Sequence, residues 1–99
     1  MATEDQFYPD AEPVAIPIDG VLDLHLFLPR EVKSLVPAYL AECQKSGILQ
    51  VRIIHGKGSG TLRRTVAAIL SRLPAVASFA PADETGGGWG ATVVELRAL

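Results

Sequence analysis

The 99-residue sequence lacks the features of a disulfide-stabilised, secreted or membrane-spanning protein. Its single cysteine, Cys43, excludes an intrachain disulfide and is consistent with a reducing compartment. Residues 1–13 have neither the basic nor the apolar region of a signal peptide, and every apolar run is far too short to span a membrane. Apolar residues make up 48% of the sequence, enough for one modest core. We therefore expect a single-domain, soluble, cytoplasmic protein.

Basic side chains are absent from the first 20 residues, so the small net charge of −2 is unevenly distributed. Residues 1–20 carry five acidic groups and no Lys or Arg, whereas residues 21–99 carry all nine Lys and Arg and six acids. One interpretation is a solvated acidic tail beside an ordinary surface; the other is a phosphate-binding core with the tail merely attached. The composition predicts an acidic, proline-containing arm over residues 1–20, partly disordered, and a folded domain over residues 21–99.

Hydrophobic periodicity predicts the element order β-α-β-α-β-β. The predicted strands cover residues 21–27, 48–54, 76–80 and 91–99, and the predicted helices start near Val32 and cover 61–73. Pro37 is expected to kink or split the first helix, and Gly47 is expected to cap it. A strand–helix–strand unit implies a parallel pair, and the last two strands are expected to be antiparallel. The predicted fold is an α/β two-layer sandwich on a mixed sheet.

Polar residues lie at the predicted carboxyl ends of the first two strands. His25 and His55 occupy these ends, Asp23 points the same way as His25, and a glycine-rich loop follows His55. If the two strands are neighbours, all of these features lie at one rim of the sheet. Open α/β sheets bind their ligands at such a rim.

The loop within RIIHGKGSG, residues 52–60, has the features of an anion site. Alternating glycines expose backbone N–H groups, and the following helix N-terminus adds partial positive charge. Lys57, Arg63 and Arg64 add full charges, although the two arginines oppose the helix dipole. Phosphate is therefore the expected ligand. The spacing matches neither GxxxxGK[ST] nor GxGxxG, so the sequence does not support a P-loop or a dinucleotide fold.

Each feature taken alone also has a purely structural interpretation. A glycine-rich turn often only redirects the chain, and His25 fits a hydrogen-bonded rim histidine. Asp23 fits a cap or a partner for an arginine. Trp89 fits simple packing as well as base stacking. Cys43 lies on the apolar face of the first helix and is expected in the core.

Four motifs in this order resemble the Smr domain, the small MutS-related domain found at the end of MutS2 proteins and as a standalone protein. They are LDLH at 22–25, IIHGKGSG at 53–60, LRRTV at 62–66 and GGWGATVVEL at 87–96. The resemblance covers about residues 20–97 and implies a fold similar to the C-terminal domain of translation initiation factor 3. It also implies nucleic-acid binding, with DNA nicking or RNA cleavage in several members, and roles in DNA repair, recombination or RNA quality control. The chain shows no ATPase or targeting domain, so we expect the standalone form, with a protein partner supplying targeting.

The resemblance also implies a set of site residues. The family's proposed catalytic pair falls on Asp23 and His25, and its basic residue after the loop falls on Arg63 or Arg64. Leu26 stands where the family usually has glycine, which bears on how closely a substrate approaches the first strand. The predicted catalytic residues are Asp23, His25 and His55. The predicted nucleic-acid-binding residues are Gly56, Lys57, Gly58, Ser59, Gly60, Arg63, Arg64 and Trp89.

Three hypotheses follow for this rim. The first is an endonuclease that hydrolyses phosphodiester bonds, and the second is a non-catalytic nucleic-acid-binding module. The third is a metal site in which Asp23, His25 and His55 form a two-histidine, one-carboxylate set. We assign no metal ligand and no certain cofactor, and a divalent cation such as Mg²⁺ is the cofactor to test.

Overall fold

The protein is described by a computed structural model that covers residues 16–82 and 90–99. Its elements follow the predicted order: β1 (Val21–Asp23), α1 (Val32–Lys45), β2 (Gln50–Ile54), α2 (Thr61–Leu70), β3 (Val76–Pro81) and β4 (Ala91–Leu96). The sheet order is β1-β2-β4-β3, with β1 parallel to β2 and the other neighbours antiparallel. The predicted α/β class and mixed sheet are therefore confirmed. Residues 1–15 of the predicted arm, and Trp89, lie outside the described residues.

The core lies between the two helices and one face of the sheet. Alternate strand positions such as Leu22, Ile53 and Val94 are at most 1% exposed, whereas Val21 on the opposite face is 46% exposed. Fully burying such a side chain stabilises the fold by about 1.5–3 kcal/mol. Cys43 is also in this core, and burial raises the pKa of its thiol, so the thiolate that would react is disfavoured.

The first strand is shorter than the sequence predicts. Pairing with β2 stops at Asp23, where the side-chain oxygen Oδ1 accepts the backbone N–H of His25 at 2.9 Å. This bond caps a 3-10 turn over Leu24–Leu26, which takes the chain out of the sheet. The predicted strand over residues 21–27 is therefore wrong beyond Asp23. The predicted alternation of buried and exposed side chains nevertheless continues into the turn, where Leu24 is buried and His25 is exposed.

The first helix runs without interruption through Pro37, so the predicted split is wrong. Proline removes one N–H donor, but the helix buries an apolar face that includes Val36 and Leu40 against the core. The predicted cap at Gly47 is confirmed. Gly47 has φ +77°, and the N–H of Ile48 donates to the Cys43 carbonyl at 2.9 Å, as in a Schellman motif.

Tyr39 connects this helix to the segment that enters β1. Its buried hydroxyl accepts the N–H of Gly20 at 3.1 Å and lies 3.1 Å from the carbonyl oxygen of Val21, to which it can donate. Burial raises the pKa of Tyr39, so the hydroxyl keeps its proton for this bond. The contact fixes the start of the strand that carries Asp23.

Among the described residues, no helix is long and apolar enough to cross a bilayer.

Candidate phosphate-binding and proton-transfer site

Asp23 and His25 form a hydrogen-bonded pair at the end of β1. One carboxylate oxygen of Asp23, Oδ1, lies 2.9 Å from both the backbone nitrogen and Nδ1 of His25. An ionised carboxylate only accepts, so Nδ1 carries the proton and Nε2 is left for another partner. The two side chains are 40% and 60% exposed respectively, so solvent and ligands can reach them.

The imidazole of His25 lies directly against the glycine-rich loop. A Cβ placed on Gly56 would be only 2.7 Å from Nε2 of His25, a distance that real Cβ atoms do not show. Gly56 also has φ +80°, a backbone conformation that other residues rarely adopt. Glycine at this position therefore allows the ring and the loop to approach each other, and Nε2 faces the start of the loop.

His55 occupies the end of β2 but faces inward. It is only 5% exposed, with Nδ1 3.0 Å from the carbonyl oxygen of Gly56 and Nε2 2.9 Å from Oγ1 of Thr92. A carbonyl only accepts, so Nδ1 donates to it, and in the neutral ring Nε2 accepts from Thr92. Both nitrogens are therefore used by the protein, and the ring fastens the loop to β4.

Sequence reasoning missed Thr92 and Gly90, the two residues of the last strand region that hold the loop. The Gly90 carbonyl accepts the N–H groups of both His55 and Gly56 at 2.9 Å. These contacts join residues more than 30 positions apart, so no local pattern marks them. The inward direction of His55 did have a signal, because it lies two residues after buried Ile53 and thus on the same face.

The loop and the first turn of α2 enclose a cleft of about 290 Å³. It is lined by His55, by residues 56–60 and by the first turn of α2, including Arg63. The amide groups of Lys57, Gly58, Ser59 and Gly60 have no acceptor among residues 16–82 and 90–99. Such donors at a helix N-terminus favour an anion.

The basic side chains surround this cleft from two sides. Lys57 is exposed within the loop, and Arg63 and Arg64 are exposed in the first turn of α2. A Cβ placed on Gly60 would lie 3.3 Å from Nη1 of Arg64 and 4.0 Å from Nη2 of Arg63, so both guanidinium groups pass near the loop. Ser59 forms a hydrogen bond within the same segment, since its Oγ lies 2.8 Å from Oγ1 of Thr61. The electrostatics of the cleft therefore suit a phosphate.

The three side chains of the metal hypothesis do not form a ligand set. Among the described residues, no three His, Cys, Asp or Glu side chains lie close enough together to hold a metal ion. Both ring nitrogens of His55 are hydrogen-bonded to protein groups, and Nδ1 of His25 is hydrogen-bonded to Asp23. The structure thus brings Asp23, His25 and the loop together, while the ring nitrogens of His55 are bonded to Gly56 and Thr92 and not to the Asp23–His25 pair.

Comparisons with known proteins identify the family of the chain. The family model described as the Smr domain matches residues 22–97. The sequence is 47% identical over 62 residues to a protein named Endonuclease MutS2 from Caldicellulosiruptor saccharolyticus, a match that covers 63% of this chain and 8% of that protein. The chain thus spans about a tenth or less of the length of the curated relatives it matches.

Two solved structures share the fold. The Smr domain of Thermus thermophilus MutS2 matches with a TM-score of 0.73 at 39% identity, covering 78% of this chain and 96% of that one. YdaL, a stand-alone small MutS-related protein from Escherichia coli, matches with a TM-score of 0.74 at 30% identity, covering 82% and 66%. The sequence motifs, the sheet order and these matches together show that the chain belongs to the Smr domain family.

Proposed function

We propose that this Smr domain binds nucleic acid through its phosphates and cleaves a phosphodiester bond beside His25. One observation carries the proposal: Asp23 holds Nδ1 of His25 at 2.9 Å, which leaves Nε2 facing the loop that starts at Gly56. A proton-transfer atom is thereby placed next to a cluster of phosphate-binding groups. The relationship to proteins named Endonuclease MutS2 supports the same reaction class.

In the proposed reaction, His25 transfers the proton and Asp23 orients the ring. The nucleophile is water, or the ribose 2′-OH when the substrate is RNA. Nε2 of His25 takes its proton as its oxygen bonds to phosphorus. The bond from phosphorus to the leaving oxygen breaks, and that oxygen takes up a proton from Lys57 or solvent. The Asp23 carboxylate stabilises the imidazolium that forms.

The loop supplies the electrostatic part of catalysis. The N–H groups of residues 57–60 and the charges of Lys57 and Arg63 surround the cleft where the phosphate binds. Fixed donors of this kind stabilise the charge that develops on phosphoryl oxygens without having to reorganise. Arg64 extends the positive surface and contacts the neighbouring phosphate of the chain.

His55 has a positioning role in this proposal, not the catalytic role predicted from the sequence. Both of its ring nitrogens are hydrogen-bonded to protein, and it is nearly fully buried. Its bonds to the Gly56 carbonyl and to Thr92 hold the loop at the distance from His25 that the chemistry needs. Trp89 remains a predicted base-stacking residue.

A divalent cation such as Mg²⁺ remains a cofactor to test. Mg²⁺ in nucleic-acid enzymes is usually held by one or two carboxylates together with substrate phosphates. Asp23 is the carboxylate beside His25, so it is the residue that would hold the ion, which would help to neutralise charge on the phosphate. Cleavage rates measured with Mg²⁺ and with a chelator show whether the reaction needs the ion.

The second candidate function is a binding module without chemistry. The observation that favours it is that Asp23 and His25 are not among the residues that line the phosphate cleft, which is formed mainly by the loop and α2, with Pro29 and His55. Phosphate binding therefore does not require the Asp23–His25 pair. On this alternative, Asp23→Asn with His25→Ala leaves nucleic-acid affinity unchanged, and the parent protein cuts nothing.

The deciding experiment is a cleavage assay with purified protein. Supercoiled plasmid, single-stranded RNA and a branched DNA are incubated with and without Mg²⁺, alongside the Asp23→Asn, His25→Ala double variant. Cleavage by the parent and not by the variant is the expected result and also identifies the preferred nucleic acid. Equal cleavage by both would disprove the role of the pair, and binding without cleavage in any lane would favour the binding module.

A further inference from the structure

Another cavity lies at the free edge of β1, with Asp23 in its wall. This cavity, which we call the edge pocket, has a volume of about 380 Å³. Its apolar walls include Pro17, Val21, Leu26 and Phe27. Asp23 connects the pocket to the proton-transfer pair, because it both lines the pocket and is hydrogen-bonded to Nδ1 of His25.

The charges of the edge pocket are opposite to those of the cleft. Asp19, Asp23 and Glu31 line it, and no Lys or Arg does. The phosphate cleft, in contrast, is lined by Lys57 and Arg63 and, among the described residues, by no acid. A phosphate group would be repelled from the edge pocket, whereas a flat apolar group that carries hydrogen-bond donors would fit it.

Leu26 gives this pocket an apolar surface directly beside the proton-transfer pair. Its side chain is 78% exposed, although it belongs to the same 3-10 turn as His25. A single exposed leucine needs no explanation, but Leu26 lies together with Val21 and Phe27 in one pocket, and contiguous apolar surface of this kind can mark a contact surface. Leu28, two residues later, is 47% exposed but does not line the pocket.

We propose that the edge pocket receives an unstacked nucleobase from the nucleotide next to the scissile phosphate; this inference rests on the proposed function. The base packs on Leu26 and Phe27, and its exocyclic amino group donates to a carboxylate at the pocket wall. Adenine and cytosine carry such amino groups. A base inside a duplex is stacked and paired, so the pocket selects single-stranded or unpaired segments.

The test compares two oligonucleotides that have equal phosphate charge. The full-length protein is titrated with a single-stranded deoxyadenosine pentamer and with the same pentamer lacking all bases, while methyl and amide NMR signals are followed. The intact pentamer is expected to bind about 5- to 100-fold more tightly, a range typical of packing one base against a protein side chain. It should shift the methyl signals of Val21 and Leu26, whereas both oligonucleotides should shift the amides of residues 57–60.

A matched pair of variants tests whether the preference for the intact pentamer comes from Leu26. Leu26→Ser should reduce the affinity for the intact pentamer several-fold, and so its preference over the abasic one, and leave the abasic affinity unchanged. Leu28→Ser, an equally small change at an exposed leucine outside the pocket, should alter neither affinity.

Equal binding of the two oligonucleotides by the parent would overturn the proposal. So would a base preference that Leu26→Ser leaves intact, because the base would then bind elsewhere. Contacts from residues 1–15 to the Leu26 methyls that persist at saturating pentamer would also overturn it, since the arm would be the occupant. If the loop amides fail to shift while the Leu26 methyls do, the phosphate site of the proposed function is wrong and the base pocket stands.

Discussion

The two histidines lie just beyond the ends of neighbouring parallel strands, but their surroundings are opposite. The side chain of His25 is 60% exposed and has one ring nitrogen bonded to a carboxylate, whereas His55 is 5% exposed and has both nitrogens bonded to protein. A group that exchanges protons with a substrate needs an atom that faces the substrate. The difference is the basis on which we propose chemistry for His25 and loop positioning for His55, although the two residues resemble each other in the sequence.

Replacing His25 with alanine is the strongest way to test this comparison. Loss of a general acid–base group should lower the cleavage rate about 10²–10⁴-fold. Because the ring is exposed, the free energy of unfolding should change by no more than about 0.5 kcal/mol. Cleavage kinetics and urea unfolding measure the two quantities. A His25→Ala protein that cleaves as fast as the parent would remove His25 from the mechanism.

Replacing His55 with alanine should have the converse effect. The buried Thr92 hydroxyl and the partly buried Gly56 carbonyl would lose their partner, and an unsatisfied buried group costs about 1–3 kcal/mol. We expect a loss of about 2–4 kcal/mol in the free energy of unfolding, with a smaller loss for Thr92→Val. Urea denaturation measures both. Full stability of His55→Ala together with complete inactivity would instead make His55 a catalytic residue.

Gly56→Ala tests the contact between His25 and the loop. The new Cβ would collide with Nε2 of His25 at 2.7 Å, and φ +80° adds backbone strain of about 1–2 kcal/mol. Gly47→Ala is a matched control, because Gly47 has φ +77° and a Cβ placed on it would have no atom within 4 Å. Both variants should lose similar stability, but only Gly56→Ala should also lose about tenfold or more in cleavage rate. Equal rates in the two variants would show that the contact has no catalytic importance.

Of these substitutions, Lys57→Ala should have the smallest effect, and it tests nucleic-acid binding by the loop. Removing one phosphate contact should weaken affinity a few-fold and reduce the log–log salt slope of binding by about 1. Arg72→Ala, an exposed change just beyond the far end of α2, is the control and should leave the slope unchanged. Fluorescence anisotropy at several salt concentrations gives both slopes. An unchanged slope for Lys57→Ala would place the phosphate away from the loop.

Much of this arrangement is predictable from local sequence, and the remainder depends on distant contacts. The β-branched run ending at His55 and the helical spacing after Thr61 predict the strand, loop and helix that form the cleft. The early end of β1 was missed because one side-chain hydrogen bond from Asp23 overrides an alternating pattern. The hydrogen bond of His55 to Thr92 was not predicted, because the two residues lie 37 positions apart.

The strand that carries Asp23 is also the shortest in the described sheet, with three residues at an edge and a single neighbouring strand. Edge segments with few backbone bonds open at a lower free energy than the core around them. The Tyr39 hydroxyl, which binds Gly20 and Val21, and the burial of Leu22 are additional restraints on this corner. We therefore expect the upper working temperature of the protein to be set by detachment of β1 from its neighbour, several degrees below the melting of the helices and the central strands.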